Sequence, residues 1–157
     1  MSDDVRPSLF DRLTPHERTV SRHLSRYTAR KDWIRYTGQC YPEAFRYAMA
    51  HRQIPGICFV VGKCYPDGDQ TGQFEPHSLD AGFWHAWVEL PDALIFEATR
   101  QRFYDRAGWM QVYQPRYITR YTPAEAYAAA KVGKLLGFGY ARYLSQYRRV
   151  FTDDRAP

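Results

Sequence analysis

Apolar positions along the chain switch between a helical and a strand period. From Thr14 to about Ala29, Val20, His23, Leu24 and Tyr27 recur on one face at helical spacing. Thr14-Pro15-His16-Glu17 gives that helix a capping box with proline at its first position, and Leu13 supplies the apolar residue before it. Residues 1–13 read as a loose arm and 30–39 as a connection. A second helix is expected from about Tyr41 or Pro42 to Arg52, with Phe45, Ala48 and Met49 buried and Gln53-Ile54-Pro55-Gly56 as the stop. Residues 57–65 then carry the β-branched and aromatic content of a strand. Residues 82–90 and 94–99 predict two more strands, joined by the turn Pro91-Asp92-Ala93. Residues 110–121 predict another strand, with Pro115 as a break or edge signal. Thr122-Pro123-Ala124-Glu125 is a second capping box, opening an alanine-rich helix to about Leu136 with Gly137 as its stop. Residues 138–151 add a short helix. Helices, then mostly adjacent strands, then helices again predict a single α+β domain over 1–157.

Composition narrows the setting. The chain has 157 residues, 45% of them hydrophobic, enough to build one core. No segment has the apolar length of a membrane span, and Met1-Ser2-Asp3-Asp4-Val5-Arg6 lacks the layout of a secretory signal. Three cysteines with no C-x-x-C pair suit a reducing compartment, so the expectation is a cytoplasmic protein without disulfides. The formal charge is +5 and the chain holds 13 tyrosines. Its arginines are scattered, however, which argues against a charge-and-stacking nucleic-acid surface. Residues 66–81 form an acidic, turn-rich loop. Asp67-Gly68-Asp69-Gln70-Thr71-Gly72 begins like a calcium loop, but Ser78 stands where the bidentate glutamate is required. No metal and no cofactor is expected.

Three residues carry candidate chemistry. Cys40 stands at a predicted helix start, where backbone donors and the dipole favour a thiolate. His85 lies in a strand, and Glu97 lies in the next. A three-residue turn pairs Leu90 with Leu94 and places Glu97 diagonal to His85 on the same face. A slip of two residues keeps them together, and a slip of one separates them. Nucleophile, base and orienting carboxylate then follow one another in chain order. Gln39, Tyr36 and Trp33 are candidates for a second oxyanion donor beside the Cys40 N–H, and Trp84 and Trp87 are further candidates for the substrate-binding surface. Cys58 and Cys64 read as small buried residues on one strand face, His51 as a helix-end cation, and His77 as a loop residue in water.

Gly38-Gln39-Cys40, Ala44-Phe45 and Ile54-Pro55 resemble the nucleophile segment of the transglutaminase-like superfamily. His85-Ala86-Trp87-Val88-Glu89-Leu90 is similar to that family's H-A-W-x-E segment, and Phe96-Glu97-Ala98-Thr99 stands where it usually has F-D-P-T. The resemblance covers about residues 33–105, with Glu97 in place of the usual aspartate and Ala98 in place of proline. It implies a papain-like core, a nucleophile helix packed on an antiparallel sheet, flanked here by N- and C-terminal helices. It also implies acyl transfer through a thioester, with a peptide or other amide as substrate. Many bacterial members resemble hydrolases, which favours a cysteine peptidase or amidase using Cys40, His85 and Glu97. The other readings are an inactive scaffold of the same fold and a basic nucleic-acid binder.

Overall fold

A five-stranded antiparallel sheet forms the centre of the molecule, seen in a computed structural model that describes residues 39–65, 82–99 and 101–152. The strands are β1 (Cys58–Cys64), β2 (Phe83–Leu90), β3 (Leu94–Glu97), β4 (Arg102–Asp105) and β5 (Arg116–Tyr121), in the order β4-β3-β2-β1-β5. The helices are α1 (Cys40–Ala50), α2 (Arg106–Tyr113), α3 (Pro123–Lys131) and α4 (Ala141–Thr152). The described residues are thus α+β. No helix among them is long and apolar enough to cross a membrane. The expected arm at 1–13, the helix at 14–29, Trp33, Tyr36 and the loop 66–81 with His77 lie outside the described residues.

Strand alternation sorts the core onto the two faces of this sheet. On one face, Phe59, Val61, Ala86, Val88, Leu94 and Phe96 pack against Phe45, Ala48 and Met49 of α1 and against apolar residues of α3 and α4. Phe45 meets Phe59 edge-on at 5.9 Å, and Tyr47 stacks on Phe96 at 3.8 Å. Burial of each such side chain contributes roughly 1.5–3 kcal/mol. On the other face, Val60, Cys64, Trp87 and Ile95 pack against Tyr104, Trp109 and Tyr113, the last two from α2. The helix α1 starts at Cys40, one or two residues before the expected Tyr41 or Pro42, so Pro42 is its third residue. Proline still fits there, because the N–H groups of the first turn have no partner within the helix.

The segment 110–121 departs from the expected strand. Residues 106–113 are helical and only 116–121 extend. Trp109 and Tyr113, four apart, are both buried on one side of α2. Aromatic content suggested a strand there, but the spacing is helical. Asp105 caps α2 by accepting the Gly108 N–H at 3.1 Å, and Gln114 ends it in the left-handed region at φ 45°. The strand β4 was not anticipated. It completes a hairpin with β3, Phe96 pairing with Phe103.

The helix α3 opens as the sequence indicates, with Thr122 and Glu125 forming a reciprocal capping box after which Pro123 begins the helix. It ends at Lys131, short of Leu136. Gly133 takes φ +68°, its N–H bonds the Ala130 carbonyl, and the Lys134 N–H bonds the Ala129 carbonyl. These two bonds close the helix through a left-handed glycine. Gly137 therefore does a different job: its bare Cα lies against the Tyr41 ring at the start of α1, at φ +102°. Gly133→Ala meets open space and should cost only the left-handed penalty, about 1–2 kcal/mol. Gly137→Ala adds a collision with Tyr41 and should cost about 2–5 kcal/mol in all, read as the difference between the two variants in thermal or denaturant unfolding.

Candidate active site

Register brings the histidine and the carboxylate together. Leu90 pairs with Leu94, Glu89 with Ile95 and Val88 with Phe96, so Glu97 lies one step beyond, on the face that carries His85 and Trp87. Asp92 and Ala93 adopt φ 60° and 56° to make the short turn that fixes this register. His85 Nε2–H donates to Glu97 Oε2 at 2.8 Å. Glu97 is fully buried and its other oxygen, Oε1, accepts from Thr99 Oγ1 at 2.8 Å and from the Thr99 N–H at 3.4 Å. The carboxylate is thus held on both oxygens before it meets the ring.

The thiol approaches the ring from the opposite side. Helix α1 packs on the first face of the sheet, and its N-terminus reaches the end where β2 begins and β1 finishes. There the Cys40 thiol lies close enough to His85 to bear on its protonation. Because Nε2 is taken by Glu97, Nδ1 is the ring nitrogen left for the sulfur. Cys40 is the first residue of α1, at the end where backbone N–H groups lack partners within the helix. Gln39 is the residue before the helix; its side chain makes no capping hydrogen bond. On β1 the residue paired with His85 is Gly62, where a Cβ would meet the Trp87 ring at 2.9 Å.

Electrostatics favour the charged pair. Burial alone would lower the His85 pKa. The charge of Glu97, the hydrogen bond and charge of Cys40 and the Glu97 hydrogen bond together raise it from 6.5 to about 10. Burial would likewise raise the Glu97 pKa, but the His85 charge and the bonds from His85 and Thr99 hold it below 4.5. The other two thiols are held toward their neutral form. Burial, then the charges of Glu97 and Cys40, push Cys64 well up, and burial and Glu89 push Cys58 up. All three cysteines are free thiols; Cys40 and Cys64 are buried and Cys58 half-buried.

Of the remaining expectations, Trp84 is 44% exposed at the open end of β2. Trp87 is corrected: it is fully buried, packed on Trp109 at 4.7 Å, and has no surface for a substrate. The alternation of β2 directs it under the sheet together with His85, while the chain end of the strand leaves only Trp84 in the open. His51 caps the end of α1 and is buried against the Tyr47 ring at 4.2 Å. Three features escaped the sequence reading. Glu43, buried in the first turn of α1, is bound by Arg46 Nε at 3.0 Å, Tyr143 Oη at 3.1 Å and Arg142 Nη2 at 3.2 Å. Glu89 takes a two-pronged bond from Arg120 on β5 at 2.8 and 3.1 Å. Trp109 and Tyr113 stack near the imidazole. Their four-residue spacing was the available signal. Arg46, three residues on, was a local signal for Glu43; its partners Arg142 and Tyr143 lie about a hundred positions away and left none. Among the described residues, no group of three or more His, Cys, Asp or Glu is arranged to hold a metal ion.

Compared with protein-family models, curated proteins and solved structures, the chain matches none of them.

The raised His85 pKa means that its ion pair stabilises the fold fully below pH 6.5 and that this contribution fades as pH climbs through about 10. The lowered Glu97 pKa contributes stability above pH 4.5 that is lost as pH falls through its folded value. The His85 ring, followed by NMR, should therefore titrate near 10. In Glu97→Gln the midpoint should fall back toward 6.5, since burial then works against the charge with less opposition. An unchanged midpoint in that variant would contradict the pairing.

Proposed function

We propose that the protein is a cysteine-dependent acyl-transfer enzyme with a papain-like core of the transglutaminase type, hydrolysing an amide or peptide bond through a thioester. The observation that carries this reading is the buried His85–Glu97 pair, with the Cys40 thiol close enough to bear on the same ring. A histidine whose one nitrogen is fixed by a carboxylate and whose other faces a thiol is arranged for proton transfer to and from sulfur. The nucleophile helix on an antiparallel sheet supports the architectural part of the proposal.

In the proposed reaction the Cys40 thiolate attacks the carbonyl carbon of the amide. The C=O electrons move to oxygen, where the Cys40 N–H and the Gln39 carboxamide donate to the oxyanion. As the tetrahedral centre collapses, the C–N bond breaks and the protonated His85 gives its Nδ1 proton to the leaving amine. The acyl group is then a thioester on Cys40. Neutral His85 next takes a proton from water as its oxygen attacks that carbonyl, and collapse expels the thiolate and releases a carboxylic acid. An amine in place of water would give a new amide by the same steps. Glu97 keeps the imidazole in one orientation and balances its charge throughout.

Iodoacetamide at neutral pH should modify Cys40 well before Cys58 or Cys64, as followed by peptide mass spectrometry. Incubation with a mixed peptide library should give cleavage products that vanish in Cys40→Ala. In His85→Ala, turnover should fall roughly 10²–10⁴-fold, the usual contribution of a positioned acid–base group. Equal and slow modification of all three thiols would sink the proposal.

A further inference from the structure

The helix α2 is fastened at both ends. At its start, the Arg106 N–H bonds the Ala93 carbonyl at 2.7 Å and Arg106 Nη2 bonds the Leu90 carbonyl at 3.0 Å, tying it to the turn that sets the β2–β3 register. At its end, the Tyr113 carbonyl accepts the Tyr65 N–H at 2.9 Å, tying it to the residue after β1. Between these ties, Trp109 and Tyr113 stack on each other at 4.2 Å and 9°. The His85 ring lies nearly parallel to both, 5.7 Å and 11° from Tyr113 and 6.3 Å and 18° from Trp109. Trp87 adds a further near-parallel ring at 6.3 Å and 24°. These separations fall in the range of offset ring packing, with the imidazole beside the Trp109–Tyr113 stack.

Stability alone gives little reason for two indoles here. Trp87 and Trp109 are both fully buried, and neither Nε1–H has a hydrogen-bond partner. Burying such a donor costs about 1–3 kcal/mol, which a phenylalanine in the same place would not incur. The large rigid rings instead supply what the imidazole needs: flat packing that leaves it little freedom to turn.

We propose that Trp109 and Tyr113 are positioning residues of the acyl-transfer site, fixing the plane of the His85 imidazole. This rests on His85 serving as the acid–base group proposed above. Neither residue touches substrate. They act by keeping Nδ1 aimed at the thiol while Nε2 stays on Glu97, so that α2 belongs to the catalytic apparatus along with α1, β2 and β3. The ionisable groups that also bear on the ring are Cys40 from α1, Glu97 from β3 and, through these two, Cys64 from β1. Tyr113 itself is the one from α2.

The test reads the His85 midpoint by NMR and the pH dependence of Cys40 alkylation in full-length Tyr113→Leu, Tyr113→Met, Tyr113→Phe and Trp109→Phe. Without the ring packing the imidazole sits less firmly on Glu97 and Cys40, and the midpoint should fall by about half a pH unit to one unit in the Leu and Met variants. The basic limb of alkylation should move down with it. Both Phe variants keep a ring and should retain the wild-type midpoint. Two aliphatic fillings are used so that the midpoint is read on whichever one unfolds like the wild type. A wild-type midpoint in that variant, or Phe variants as shifted as the aliphatic ones, would overturn the proposal. The NMR midpoint is independent of thiol reactivity. Wild-type Cys40 no more reactive than Cys64 would therefore defeat the enzyme reading, whereas a reactive Cys40 with an unmoved midpoint would defeat only the role given to α2.

Discussion

The buried ion pair between His85 and Glu97 sets the demands that the rest of the structure meets. Two charges removed from water are costly unless each is closely matched and its remaining hydrogen-bonding capacity is used. Glu97 meets that condition with His85 on one oxygen and Thr99 on the other. His85 meets it with Glu97 on one nitrogen and Cys40 beside the other. Everything then depends on strand register. Side chains alternate, so a single-residue slip between β2 and β3 would bury the carboxylate and the imidazole on opposite faces, each without its counter-ion. The tight turn with Asp92 and Ala93 in the left-handed region, and the bonds from Arg106 to the turn, exclude that slip. The electrostatics and the backbone geometry therefore enforce one another.

Much of this was legible in the sequence because it is local. The three-residue turn, the Leu90–Leu94 pairing and the shared face of His85 and Glu97 follow from short-range spacing, and the structure has them as read. The buried side of α1 and the capping box of α3 are local for the same reason. What failed was the segment whose composition and period disagreed. Aromatic and β-branched residues over 110–121 suggested a strand, while the Trp109–Tyr113 interval obeyed the helix and prevailed because it buries both rings under the sheet. Trp87 shows the converse limit. Alternation placed it correctly beside His85, but only the packing of α2 beneath it reveals that this face is closed to any ligand. The arrangement around Glu43 is local only in Arg46, since its partners on α4 meet it through tertiary packing.

The two sides of the sheet divide the labour. The side that carries α1 is mainly aliphatic and aromatic packing, and it fixes where that helix lies. The side under α2 holds the polar groups, His85, Glu97 and Glu89, among Trp87, Trp109 and Tyr113. The thiol belongs to the first side and the imidazole to the second. They meet only where β1 and β2 run out, at the rim of the sheet. Gly62, paired with His85, leaves the rim clear, because a side chain there would press on the Trp87 indole that lies beneath the imidazole.

The carboxylate of Glu43 gives the chain an order of assembly. It sits three residues after Cys40, inside the protein, and two of its bonds come from Arg142 and Tyr143 on α4. A growing polypeptide that has emitted α1 and the whole sheet offers it only Arg46 from the same helix, and a carboxylate short of partners resists being enclosed. The opening turn of α1 is therefore completed when α4 arrives with the other two bonds. The surroundings of the Cys40 thiol would thus be finished last, after the C-terminal helix has docked.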